Sequence, residues 1–218
     1  MSRQQSPLVK GNILSAARQV FADRGYKEAT VREIARRAGV AVGGLYPYFG
    51  NKEQLYIEAL EEGTRLYRKG IRELEHEEPA VAIRRYIENH LEYTVSRKQA
   101  ISLQFKDYDL EFARPFRTGF FRFQKEFLAG IIRRGVEQGI FRAADCEDAA
   151  LFILCVLKGA VFNYLAGTAD LAASRDTLWR SVLTFLKQDE PGGETDPGRP
   201  MGVRPGAGRR GRTKVSGG

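Results

Sequence analysis

The sequence predicts an all-α protein in which a small N-terminal helical domain precedes a larger helical body. Apolar residues recur at helical spacing through most of the chain, and no alternating strand pattern of useful length is present. From Glu190 onward Gly, Pro and Arg replace the large apolar residues, so this part cannot bury enough surface to order itself. We therefore expect three regions, at residues 1–52, 53–188 and 189–218, the last of them a disordered basic tail.

Capping residues mark the first two helices. Ser6 can cap a first helix, and Gly25 can end it. The sequence TVRE then places Thr30 at the N-cap of a second helix and Glu33 three residues later, which is the capping-box pattern. Gly39 is the expected stop of this second helix, because glycine readily adopts the left-handed conformation that ends helices. The second helix is therefore only about two turns long.

The next segment, AGVAVGGLYPYFGNKEQL, contains residues that weaken helices. Gly43, Gly44 and Pro47 stand at its centre. Pro47 lacks the N–H that would bond to the carbonyl of Gly43, which costs about 3 kcal/mol inside a helix. In a helix that begins near Gly44, however, Pro47 falls in the first turn, where its N–H would have no helical partner anyway. The sequence therefore predicts a short helix that its neighbours hold in place.

Helical spacing continues beyond this segment. Asn51 and Gln54 form a second capping pair, at the start of a long helix that extends to about His76. The later helices are predicted over residues 80–97, 99–112, 115–138, 145–166 and 174–188. The helix at 145–166 approaches the length of a membrane span, but Lys158 and Asn163 lie near its middle. We therefore expect it to be buried in the protein or in a dimer, without a membrane partner.

Charge is distributed unevenly along the chain. Residues 1–57 carry nine basic and four acidic side chains, whereas residues 58–188 are nearly neutral. This indicates a polyanionic partner for the N-terminal segment. Basic residues of the tail either remain solvated or add sequence-independent affinity for DNA. Cys146 and Cys155 match no metal or disulfide pattern, and no secretory signal precedes the first helix, so we expect a cytoplasmic protein without metal or cofactor.

Catalytic patterns are absent from the sequence. His76 and His90 lie on charged helical segments without a recognisable catalytic partner, and no phosphate-binding glycine loop follows a strand. We interpret both histidines as surface residues and the protein as a non-enzyme. Three short N-terminal helices with a tight turn at Gly39 are instead typical of a helix-turn-helix DNA-binding module. Any small helical bundle would show the same periodicity.

Particular residues distinguish a DNA-binding module from an ordinary small helical bundle. An ungapped pattern covers about residues 13–60 and comprises Ala17, Phe21, Gly25, Thr30, Val31, Ile34, Ala35, Ala38, Gly39, Val40, Leu45, Tyr46, Phe49, Asn51, Lys52 and Leu55. This pattern resembles the N-terminal domain of the TetR family of transcriptional regulators. The resemblance implies an all-helical homodimer that represses transcription from a palindromic operator and releases it when an effector binds. Activation and ligand-independent DNA binding remain open alternatives.

The resemblance also implies which residues contact DNA. It places Thr30 against a phosphate, where a helix N-terminus binds anions, although Thr30 can equally be a plain N-cap. Further backbone contacts are expected from Arg32, Tyr46, Tyr48 and Lys52, and base contacts from Val42, Gly43, Gly44 and Pro47. Because none of these four carries a bidentate hydrogen-bonding side chain, specificity would come from thymine methyl contacts, close backbone approach and DNA shape. We expect Leu45 and Phe49 in the core.

The body has two further features. Seven of the thirteen phenylalanines lie between residues 105 and 127. We expect core packing or an apolar pocket for a hydrophobic or amphipathic effector, such as a fatty acyl compound or lipophilic drug, lined by Phe105, Phe112, Phe116, Phe120 and Phe127. The two C-terminal helices are the candidate four-helix dimer interface, through Leu151, Leu154, Gly159, Phe162, Leu178, Val182 and Phe185.

Overall fold

The computed structural model describes residues 6–188, apart from the side chains of Leu103 and Lys106. Within this range the chain is helical and has no strand, which confirms the all-α prediction. The helices are α1 (Pro7–Glu28), α2 (Val31–Ala38), α3 (Lys52–Arg72), α4 (Pro79–Ser96), α5 (Lys98–Lys106), α6 (Arg114–Glu137), α7 (Cys146–Leu165) and α8 (Leu171–Lys187). The predicted tail at 189–218 lies outside the described residues.

The capping signals operate largely as predicted. The Thr30 hydroxyl accepts a hydrogen bond from the Glu33 backbone N–H at 3.2 Å, and Gly39 ends α2 with a φ of 69°. The Glu33 carboxylate forms an ion pair with Arg24 at 2.9 Å. Gly25 adopts a φ of 77° inside α1 and kinks it, so the predicted stop is a break after which one further helical turn follows.

The short helix predicted between α2 and α3 is not an α-helix. The chain forms a 3-10 turn at Val42–Gly44 and then a series of tight turns that includes Pro47. The backbone N–H groups of Tyr48 and Phe49 both donate to the Leu45 carbonyl, at 2.9 and 3.0 Å. Leu45 and Phe49 are buried, as expected, so packing holds a segment that has little helical hydrogen bonding of its own.

The end of α5 differs from the prediction, since the helix stops at Lys106 instead of continuing to residue 112. The next residue, Asp107, is buried and turns its carboxylate toward the N-terminal helices. It accepts hydrogen bonds from the Tyr26 backbone N–H at 2.8 Å and from the Tyr56 hydroxyl at 3.4 Å. If α5 continued for another turn, Asp107 would move away from these two donors and both hydrogen bonds would be lost.

The buried apolar residues form two clusters. We call the first cluster the head core; it lies among α1, α2 and the first turns of α3, and reaches Leu55, Tyr56 and Ala59. The second cluster, the body core, joins the later part of α3 to α4, α6, α7 and α8. At Gly135 in α6 a Cβ atom would overlap the ring of Phe141, so this close approach requires glycine.

The body core also contains a polar network. The side-chain amide of the buried residue Gln124 donates to the hydroxyls of Tyr67 and Tyr86, each at 3.1 Å. The Tyr67 hydroxyl lies 2.8 Å from Nδ1 of His90. Burial, reinforced by the charge of Lys158, lowers the pKa of His90 to about 4. The surface interpretation therefore holds for His76, which is exposed, and is wrong for His90, which is a neutral internal residue.

Candidate DNA-binding surface and effector site

The residues expected to contact bases lie on an exposed turn. Val42 is 38% exposed and Tyr46 is 56% exposed, and Gly43 and Pro47 are exposed beside them. Single exposed apolar side chains are common on protein surfaces, but here several exposed apolar or aromatic residues lie within one short turn. The turn therefore offers a small, largely apolar surface to a partner.

The two glycines of this turn are not required by the fold. Gly43 and Gly44 both have φ outside the left-handed region. A Cβ at Gly43 would meet no atom within 4 Å, and at Gly44 it would make an ordinary contact with the Val40 Cβ at 3.7 Å. Since neither backbone conformation nor internal packing demands glycine here, the absence of side chains is consistent with close approach of an external surface.

One of the three arginines on α2 is already paired with an acidic residue. Arg37 forms an ion pair with Asp23 at 2.9 Å. Arg32 and Arg36 are exposed, and the structure records no acidic partner for either of them within residues 6–188. Together with the exposed N-cap Thr30, these two arginines give α2 an uncompensated positive charge. Such a surface attracts phosphate groups.

Two of the expected backbone contacts have other partners. The Tyr48 hydroxyl accepts a hydrogen bond from the Ser6 backbone N–H at 3.1 Å, which fixes the start of α1 and leaves the hydroxyl hydrogen to donate elsewhere. Lys52 is half-buried, with its Nζ 4.4 Å from the centroid of the Tyr26 ring. Burial lowers the pKa of Lys52, and the charge of Asp107 opposes this effect. Lys52 therefore turns toward Tyr26 of α1, a position that its place in the motif does not reveal.

The five phenylalanines expected around an effector do not converge. Phe112 packs in the head core, with its ring centroid 4.8 Å from that of Tyr26, and Phe105 lies exposed on α5. Phe116, Phe120 and Phe127 are half-buried along α6, in a row of stacked rings that Phe123 completes. These residues belong to three different environments because the chain turns sharply after α5.

A cavity of about 240 Å³ lies where the head meets the body, among α1, α3, α4 and α5; we call it the junction cavity. None of the five predicted phenylalanines lines it. Its lining includes Arg18, Phe21, Tyr56, Tyr93, Arg97 and Asp107. Sequence reasoning missed this site because its residues come from four helices and form no local motif.

The outer surface of α7 and α8 exposes several large apolar residues among polar ones. Of the residues expected there, Phe162 is 59% exposed, and Leu151, Gly159 and Phe185 are also exposed, whereas Leu178 is half-buried. Leu154 and Val182 must be removed from the predicted interface, since both are buried in the body core. Phe152, which the sequence analysis did not select, is exposed and stacks on Phe185 at 4.1 Å between ring centroids.

α7 is the one helix of the described range that is long and apolar enough to cross a membrane, by length and composition alone. One side of it, including Ile153, Leu154 and Leu157, is buried in the body core. The opposite side carries the exposed aromatic residues. A helix that packs against its own subunit on one side and exposes aromatic rings on the other is typical of a protein interface.

The fold and the exposed turn define a helix-turn-helix protein with a separate helical body. Residues 13–59 match the family model of bacterial regulatory proteins of the tetR family. Residues 13–59 therefore form a domain of the TetR type, and relatives that match this chain are transcriptional regulators.

Relatives of known sequence or structure agree with this assignment. The transcriptional activator FasR of Mycolicibacterium smegmatis is 42% identical over 64 residues, which are 29% of each chain. The regulator YfiR of Bacillus subtilis is 24% identical over 194 residues, covering 83% of this chain and 93% of that protein. The solved structure of the fatty acid degradation regulator FadR from Bacillus halodurans is 25% identical, with a TM-score of 0.70 over 81% of this chain and 99% of that one. The chain thus spans under a third of FasR but nearly all of YfiR and FadR.

Proposed function

We propose that this regulator is a homodimeric repressor that binds a palindromic operator and leaves it when a small hydrophobic or amphipathic effector binds. The observation that carries the proposal is the exposed turn at 42–48 beside the unpaired charges of Arg32 and Arg36. An apolar, glycine-containing turn flanked by positive charge fits a DNA groove bordered by phosphates. A soluble DNA-binding protein of this kind acts in the cytoplasm.

The proposed DNA contacts are of two kinds: phosphate contacts that position the protein, and base contacts that give sequence specificity. Thr30 and the free N–H groups at the start of α2 bind one phosphate. Arg32, Arg36, Tyr46 and Tyr48 bind neighbouring phosphates and fix the register. The base edges meet Val42, Gly43, Gly44 and Pro47, of which the two apolar side chains contact thymine methyl groups and the glycines let the backbone come close. Because none of these four side chains can form hydrogen bonds with a base, the rest of the specificity comes from DNA shape.

Dimerisation uses the outer face of α7 and α8. Phe152, Phe162 and Phe185 lie exposed on this face, and burying them against a second copy removes apolar surface from water. Two-fold symmetry then presents two heads to one side of the DNA. Their half-sites lie about 34 Å apart, or a multiple of it, and form a palindrome.

The effector class rests on two supports. The body carries a row of half-buried phenylalanine rings on α6, and a cavity lies at the head–body junction. The solved relative with 25% identity is a regulator of fatty acid degradation. A fatty acyl compound or a lipophilic drug would find both apolar and aromatic surface here.

Selection of bound sequences from a random DNA library tests the DNA-binding part. We expect a palindrome to be enriched by the wild-type protein. Gly44→Arg should change the preferred bases or weaken binding at least tenfold, because it adds a long charged side chain to the surface that meets the groove. Gly119→Arg is the matched control, since it adds the same charge at an open position on α6. A preference for single, non-symmetric sites, or an unchanged preference in Gly44→Arg, would contradict the proposal.

Operator release tests the regulatory part. DNA binding is followed by fluorescence anisotropy while acyl compounds and lipophilic drugs are added at fixed salt. Release by one of them supports the proposal, and no change with any of them favours the ligand-independent DNA binder. A reporter gene then distinguishes repression from activation. Activation is the alternative because the relative FasR is a transcriptional activator. Higher reporter expression in the absence of the regulator is the result expected of a repressor.

A further inference from the structure

The junction cavity has a mostly apolar floor, which also holds the buried Asp107, and a polar rim. Phe21, Tyr56 and Ala59 are buried at its floor, and Gln19 and Gln104 are exposed at its edge. An opening that connects such a floor to solvent suits a ligand with an apolar chain and one polar end. The orientation of that ligand would be set by the charges at the rim.

Two arginines supply those charges. Arg18 on α1 and Arg97 after α4 both line the cavity, and within the described range neither forms an ion pair with a carboxylate. The Arg97 guanidinium lies 5.1 Å from the ring centroid of Tyr93. Burial raises the pKa of the Tyr93 hydroxyl, and the charges of Arg97 and Arg18 both oppose that rise. Both guanidinium groups are therefore close enough to Tyr93 to act on its hydroxyl.

The acidic group of the cavity does not neutralise these arginines. Asp107 is buried at the floor, where its carboxylate is hydrogen-bonded to Tyr26 and Tyr56 of the head. Both bonds are accepted by one carboxylate oxygen, Oδ2, which holds the carboxylate toward the head. The two arginines outnumber this single carboxylate, so the lining keeps a net positive charge, and the polar end of a ligand there is an anion that pairs with the guanidinium groups.

The volume limits the size of the ligand. At about 240 Å³ the cavity is smaller than the pockets of about 300 to 1,000 Å³ that take drug-sized molecules. We infer that the junction cavity binds a small amphipathic anion, a carboxylate with a short apolar chain, with its carboxylate held by Arg18 and Arg97.

The walls of this site belong to both domains. Arg18, Phe21 and Ala59 come from helices of the head core, whereas Tyr93 and Arg97 come from the body. A ligand that touches both sides binds best in one relative arrangement of head and body, so its binding free energy is coupled to that arrangement. This step rests on the proposed function and makes the anion the signal that moves the DNA-binding head.

Calorimetric titration of the full chain, without DNA, tests the site. Octanoate is the probe, and octanol, which has the same chain without the charge, is its control. We expect octanoate to bind at least tenfold more tightly than octanol. Arg18→Gln should weaken octanoate binding at least tenfold, while Arg65→Gln, which removes an exposed arginine of α3 outside the cavity, should leave it unchanged.

A second variant removes the space instead of the charge. Ala100→Leu places a larger side chain at the wall of the cavity and should abolish octanoate binding without lowering the thermal unfolding temperature. Equal affinity for octanoate and octanol, or octanoate binding that neither Arg18→Gln nor Ala100→Leu alters, would overturn the site.

DNA binding at saturating octanoate separates this inference from the proposed function. Release of operator DNA that disappears in Arg18→Gln supports both. Binding of octanoate that leaves the DNA affinity unchanged keeps the site but overturns its coupling to the head. Release by a different effector, in a protein that does not bind octanoate, overturns the site and leaves the proposed function standing.

Discussion

The head and the body of this protein distribute polar and apolar residues in opposite ways. The head core is formed by hydrophobic residues, and its arginines and its N-cap threonine face outward. The body buries Gln124 with the hydroxyls of Tyr67 and Tyr86, yet exposes the rings of Phe152 and Phe162. Buried polar groups and exposed apolar rings are both costly unless something compensates for them. The difference teaches that the head combines exposed positive charge with a small apolar turn, whereas the body leaves large aromatic rings uncovered on its outside.

The largest expected effect comes from the exposed face of the body. Replacing Phe152 and Phe162 together by Asp puts charge where two subunits should meet, so the protein should become monomeric. Because a monomer engages only one half-site, operator affinity should fall at least a hundredfold. Light scattering and fluorescence anisotropy measure the two results. Leu66→Asp is the control, since Leu66 is equally exposed but lies on α3; a dimer that survives the double substitution would contradict the interface.

A second prediction concerns the polar interior of the body. The pKa of His90 is about 4 in the folded protein and near 6.5 when unfolded, so only the unfolded chain binds the proton between these values. The unfolding free energy should therefore fall as the pH decreases from 6.5 toward 4, with up to about 3 kcal/mol from this residue. Urea unfolding at pH 7 and pH 5 measures the effect at one protein concentration.

His90→Asn should remove much of this pH dependence, because asparagine keeps a hydrogen-bonding group near Tyr67 without a titrating proton. His76→Asn is the matched control, since His76 is exposed, and it should leave the pH dependence unchanged. An identical slope in wild type and His90→Asn would show that His90 is accessible to water.

A third prediction compares glycines that the fold needs with glycines that it does not. Gly135→Ala should lower the unfolding free energy by about 1 to 3 kcal/mol, because the new methyl group overlaps Phe141. Gly130→Ala lies on the same helix with open space around it and should raise the unfolding free energy by up to about 1 kcal/mol. Chemical denaturation of both variants gives the values, and equal effects at the two positions would refute the difference in packing.

The smallest expected effect concerns the charges of the head. Arg32→Ala should weaken DNA binding by a similar factor on every sequence and reduce the slope of log affinity against log salt by about 0.9. Lys52→Ala should also weaken binding evenly, but with a smaller change in slope, because its ammonium faces Tyr26. Anisotropy titrations at several salt concentrations measure both slopes. A larger change for Lys52→Ala would mean that this lysine turns to the DNA when bound.

Local features of the fold were predictable from the sequence. The bond from Glu33 to the Thr30 hydroxyl and the bond from Gln54 to the Asn51 side chain each span three residues. Interactions of this range depend on the residues of one helix end, so a capping pattern is sufficient to predict them. The motif that resembles the family also placed Leu45 and Phe49 in the core, where the structure has them.

The tertiary structure decided what depends on distant partners. Lys52 turns toward Tyr26, His90 pairs with Tyr67, and Leu154 is buried, although helical spacing alone left each of them free to face outward. By itself the sequence determined most of the helices and the N-caps at Thr30 and Asn51, because these arise within short segments. Only the packed structure decided the junction cavity, because its charge and volume arise where four helices meet.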